Sequence, residues 1–106
     1  MKIKRNLSRE KEWLFNDGSL PIQVKIVEPG DINSVEHYHK TMHEYFFLLQ
    51  GRARISVNGT VHALERDDVL IVEPGEIHRV IDYSADMRLL LLMPPPVPGD
   101  KYVVSF

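Results

Sequence analysis

The chain contains no cysteine, which excludes a disulfide framework and thiolate chemistry. It also lacks any excess of one charge: 13 basic and 15 acidic residues leave a formal net charge of −2. No five like charges run together. Such a balance offers no electrostatic attraction to nucleic acid or to an anionic membrane, and neither is expected as a partner. Long hydrophobic runs are missing as well. "LLLLM", Leu89 to Met93, falls far short of the roughly 20 apolar residues of a membrane helix. The opening "MKIKRNLSREKEWLF" turns charged where a secretory signal would turn apolar, so a cytoplasmic protein is expected. A length of 106 residues suits a single domain with one core.

Helical periodicity is absent too, and turn signals recur at short intervals, so the pattern is all-β. "PIQVKIV" alternates Ile22, Val24 and Ile26 with Gln23 and Lys25 and ends at a Pro-Gly turn, as a half-buried strand does. "RARISV" sets Ala53, Ile55 and Val57 on one face and Arg52, Arg54 and Ser56 on the other. The "NG" that follows, Asn58 and Gly59, predicts a type I′ hairpin, because both central residues of that turn need positive φ. "TVHAL", "VLIV", "HRVIDY" and "RLLLLM" complete the set, the last two predicted as a hairpin around "SAD". The proline-rich "PPPVPG" reads as a stiff connector and "KYVVSF" as a terminal edge strand.

Eight to ten short strands with no covering helix must close on themselves, as a jelly-roll barrel or sandwich does. Residues 1–20 are expected to form an arm or one helical turn, 21–93 the barrel core, and 94–106 the connector and last strand. No internal repeat divides the chain.

"VEHYHKTMHEYFFLLQG" crowds three histidines and two glutamates ahead of an apolar run. His37 and His39 are two apart, so on a strand their side chains share a face. Glu44 lies at an odd offset from His39, and sharing that face requires a bend within "KTMH". A carboxylate leading an apolar inward face is costly to bury unless compensated, and a divalent cation would compensate it. His78, just after the Pro-Gly turn of "EPGEIHRV", is a fourth candidate. Three imidazoles and one carboxylate suit iron, manganese, nickel, cobalt or zinc with positions left open. The plainer reading, a polar strand edge with incidental histidines, stands beside it at this point.

The combined spacing resembles the cupin superfamily in its small single-domain form. "HYHKTMHEYFFLLQG" matches its first motif, two histidines in H-x-H, a glutamate and a glycine, through His37, His39, Glu44 and Gly51. "DDVLIVEPGEIH" resembles the second motif through Gly75 and His78, with Asp67 in place of the leading glycine and Glu73 in place of the first proline. Gly30 stands one position further from His37 than the family pattern has it. The resemblance covers about Pro21 to Met93 and implies a double-stranded β-helix barrel with a metal at its mouth, held by His37, His39, Glu44 and His78.

By strand parity Met42, Phe46, Leu48 and Val80 are expected to line the pocket. His43 is an alternative ligand or proton shuttle that parity turns away, and His62, Arg52 and Arg54 are expected at exposed positions. Tyr45, Phe47, Leu49, Leu70, Val72, Leu90 and Leu92 are placed on outward faces, an apolar area that a back-to-back homodimer would cover. Fold and ligands do not choose a reaction. A metal-dependent dioxygenase and an isomerase or lyase, with Glu44 or His43 moving a proton, are the enzymatic expectations for a small chelating substrate. The alternative is a non-catalytic metal-dependent sensor or sugar-binding module.

Overall fold

The structure, a computed structural model, describes residues 3–15 and 21–104. A single helical turn, α1 (Leu7–Glu10), leads into ten strands: β1 (Glu12–Phe15), β2 (Ile22–Val27), β3 (His37–Tyr38), β4 (Glu44–Gln50), β5 (Ala53–Val57), β6 (Thr60–Leu64), β7 (Val69–Val72), β8 (His78–Tyr83), β9 (Arg88–Met93) and β10 (Tyr102–Val103). They form two five-stranded antiparallel sheets, ordered β1-β2-β9-β4-β7 and β10-β3-β8-β5-β6. The all-β jelly-roll expectation holds. The expected arm contributes both the helical turn and an edge strand, while residues 16–20 and 105–106 lie outside the described residues.

From β3 to β9 every connection but one carries the chain from one sheet to the other, the exception being the β5–β6 hairpin. In that hairpin Asn58 and Gly59 have φ of 50° and 83°, as the "NG" signal predicts. The hairpin expected around "SAD" does not form. β8 lies between β3 and β5, and β9 between β2 and β4 in the opposite sheet. A short polar turn between apolar strands is compatible with either geometry, and the chain uses it to cross. Gly51 makes another crossing at φ 75°, where an added Cβ would lie 2.9 Å from the Met87 Cα.

Between the sheets, Phe46, Leu48, Ile55, Val72, Leu89 and Leu91 are among the buried core residues. Strand parity fails on β7, where the sequence does not alternate. Val72 pairs with Glu44 and Leu70 with Phe46; Val72 is buried and Leu70 packs on the core, so neither faces outward as expected. Their neighbours Val69 and Ile71 are the exposed pair, at 48 % each. "VLIV" carries no polar residue to mark its outer face. On β2 the apolar set Ile22, Val24 and Ile26 lies away from the central cavity, while Gln23, Lys25 and Val27 line it.

Candidate metal centre

The bend that Glu44 requires is built by a residue far away in sequence. Asp100, buried in the segment that follows the prolines, accepts backbone N–H groups from Lys40 at 2.8 Å, Thr41 at 2.9 Å and Met42 at 2.8 Å. These bonds turn the chain between β3 and β4 and carry Glu44 onto the opposite sheet, facing the histidines. His37 and His78 are register partners on β3 and β8. One candidate ligand atom from each of His37, His39, Glu44 and His78 falls within a set spanning 4.8 Å. The chain thus brings together all four expected ligands.

Each imidazole is oriented by its Nδ1. That of His37 lies 2.8 Å from the Val35 carbonyl, that of His39 2.5 Å from the Asp100 carbonyl, and that of His78 2.9 Å from the Glu76 carbonyl. A carbonyl can only accept, so all three Nδ1 atoms carry hydrogen and the three Nε2 atoms are left for the centre. Glu44 Oε2 is 2.7 Å from His39 Nε2 and 3.3 Å from His78 Nε2. Backbone-anchored histidines beside a carboxylate are the arrangement that metal-binding imidazoles adopt, and the donor set fits a divalent transition metal.

Burial pushes the Glu44 carboxyl up, but hydrogen bonds from His39 and His78 outweigh it and lower its pKa to about 2. Burial pulls His39 down, yet the Glu44 carboxylate and the Asp100 carbonyl overcome it and raise its pKa above the ordinary value. His37 is dominated by burial, with the charges of His78 and Lys101 acting the same way against the Val35 bond, and its pKa falls to about 4. The two shifts on Glu44 and His39 favour an ion pair between them, and that on His37 disfavours a charge there.

A cavity of about 350 Å³ opens over these residues. Met42, Phe46 and Val80 line it as expected, whereas Leu48, although inward, lies in the core below and is not part of the lining. His43 is outside both the ligand cluster and the lining. His62 is exposed on β6, and Arg52 and Arg54 border a separate cavity of about 370 Å³ that shares no residue with the centre. Sequence reading missed Asp100, whose only signal is a carboxylate after "VPG", and missed Gln23 and Lys25, which looked like the solvent face of an alternating strand. Asp67, in the place of the motif glycine, has φ 75°, and Gly75 has φ 86°. Glu73 uses the N–H that a proline would lack, donating it to Glu76 Oε1 at 2.7 Å.

Two facing antiparallel sheets closed around three histidines and a carboxylate define a double-stranded β-helix protein with a residue group that could hold a metal ion. Residues 23–93 match the family model for the cupin domain, and the chain belongs to that family. The tetracenomycin polyketide synthase protein TcmJ of Streptomyces glaucescens is 40% identical over 52 residues, 49% of this chain and 34% of that protein. The chain therefore matches about a third of that relative's length. Among solved structures, a variant of the Streptomyces protein Pac13 with uridine superposes with a TM-score of 0.69 at 18% identity, covering 100% of this chain and 93% of that one. Pac13 is described as a nucleoside dehydratase. The DMSP lyase DddQ from Ruegeria pomeroyi DSS-3 has a TM-score of 0.65 at 20% identity, covering 86% of this chain and 49% of that one.

Proposed function

We propose that this cupin is a metal-dependent enzyme of the lyase or isomerase kind. His37, His39, Glu44 and His78 hold one divalent ion (iron, manganese, nickel, cobalt or zinc) beneath a small organic substrate. The observation that carries the reading is the orientation of the imidazoles: three Nδ1 atoms are tied to backbone carbonyls, and three Nε2 atoms converge with a buried carboxylate. A site serving stability alone has no need of an adjoining cavity, and this one opens into about 350 Å³. Bound there, the ion supplies Lewis-acid polarisation of a substrate oxygen. Glu44 offsets its charge and moves a proton at Oε2. Met42, Phe46 and Val80 give the cavity apolar walls that exclude water from the reacting end. The oxygenase branch has less support, since two proteins of this fold are by name a dehydratase and a lyase.

The test is to purify the protein without a tag, determine its metal, and assay small hydroxy acids and nucleosides for elimination products by NMR. Dioxygen uptake is measured in parallel with enediols, catechols and β-diketones. Elimination by the loaded protein, lost on chelation and restored by the ion, is the expected result. Oxygen consumption would instead move the protein to the oxygenase branch. Tight binding without turnover of any substrate would make it a sensor or sugar-binding module and overturn the enzymatic reading.

A further inference from the structure

We infer that the substrate is a small anion whose carboxylate or phosphate is held by Lys25 and Lys101 while its other end reaches the centre; this rests on the metal reading above. Lys25 occupies the inner face of β2, where parity would otherwise admit an apolar residue. It pairs with Leu91, and Leu91 with Phe46, two positions from Glu44 on the same face. Two strand spacings, about 10 Å, separate β2 from β4, so the lysine stands on the same wall of the cavity as the glutamate, two strands away from it. Lys101 follows Asp100 and lines the same cavity.

The cavity's own acids are already engaged. Asp31 accepts from the Lys11 ammonium at 3.1 Å and the Glu28 N–H at 2.9 Å. Asp100 is turned to three backbone N–H groups, and Glu44 faces His39 and His78. Arg79 also lines the cavity, its guanidinium 4.0 Å from Glu36. Lys25 is 3.6 Å from Glu12 in an exposed pair, which solvent screening makes weak. Lys101 has no ion-pair partner among the described residues. With a divalent ion only partly offset by one carboxylate, the cavity is net positive, and an anion is its complement.

Three hydroxamates that share one chelating head test this by calorimetry on nickel-loaded protein. Acetohydroxamate has a neutral tail, succinic monohydroxamate a carboxylate, and phosphonoacetohydroxamate a phosphonate. At least one charged tail should bind roughly tenfold more tightly than the neutral one, with the gain shrinking at high salt. The tail that gains distinguishes carboxylate from phosphate. Lys25→Met and Lys101→Met should each reduce the gain and together abolish it, leaving acetohydroxamate unchanged. Equal affinity for all three in the unsubstituted protein, or a gain that survives both substitutions, overturns the proposal. If a variant fails to fold, the salt dependence of the unsubstituted protein decides. Failure of nickel, and of iron, manganese, cobalt and zinc in turn, to load overturns the metal reading and this one with it, whereas a loaded protein that binds none of the three hydroxamates overturns this proposal alone.

Discussion

Below its raised pKa His39 carries both ring protons, directed at the Asp100 carbonyl and Glu44, and a metal ion would have to replace the one on Nε2. Metal binding should therefore release about one proton per ion below the raised His39 pKa, and affinity should fall with acidity. Calorimetry in buffers of different ionisation enthalpy measures the release; a proton count of zero at mildly acid pH would contradict it. The same groups shape metal-free stability. Glu44, lowered from 4.5 to about 2, contributes above 4.5 and loses that contribution as pH falls toward 2. His37, lowered from 6.5 to about 4, contributes above 6.5 and loses it as pH falls toward 4. His39, raised from 6.5, contributes below 6.5 and loses it as pH rises through its folded value. Chelator-treated protein should thus melt highest near pH 6.5, and His39→Gln should remove the alkaline decline; a Tm that keeps rising past neutrality in both proteins would contradict the ion pair. Asp100→Ala should cost about 2 kcal/mol through stranded N–H groups and weaken metal binding roughly tenfold, with Asp100→Asn intermediate. An unchanged chelator competition would show that the bend does not depend on Asp100. His37 and His39 were legible as a pair because a spacing of two along a strand fixes a shared face, while Glu44 and His78 joined them through the resemblance to the cupin motifs. Asp100 was not, because nothing local links it to a bend some sixty residues earlier.

Turns decide the course of the elements, and two of them yield a paired prediction. Asp67 sits at φ 75° where the motif has glycine, so Asp67→Gly should relieve backbone strain and stabilise by up to about 1 kcal/mol. Gly51 has the same φ but close neighbours, and Gly51→Ala should destabilise by about 2 kcal/mol or more. Denaturant melts compare the two, and equal shifts of one sign would contradict this reading of the crossings. Strand identity was legible wherever apolar and polar residues alternate, as along β5. In "VLIV" no polar residue marks a face, and Leu70 and Val72 turned out to be inward. On β2 the alternation was clear but its sense was hidden. The apolar set faces away from the cavity and the polar set into it, which hydrophobicity alone does not foresee in a barrel that binds something polar.

At the scale of the molecule, eight to ten short strands closing into a barrel or sandwich were foreseeable from the strand signals and the lack of helical periodicity, but the crossings between sheets were not, since a turn's sequence does not say which sheet comes next. The outer face of the β2, β9, β4 and β7 sheet carries the exposed Val69 and Ile71 beside the half-buried Tyr45, Phe47, Leu90 and Leu92. We propose that a second copy covers this face in a homodimer. Light scattering should give twice the chain mass, and Ile71→Lys should halve it; a monomeric parent would leave that apolar face to another explanation. The central claim is that His37, His39, Glu44 and His78 hold one ion per chain, and native mass spectrometry of metal-reconstituted protein tests it most directly. The parent, His43→Ala and His62→Ala should each carry one ion per chain, while His37→Ala, His39→Ala and His78→Ala should be largely empty. A His78→Ala protein as fully loaded as its parent would remove the fourth ligand, and full loading of all three variants would leave the histidines a polar strand edge.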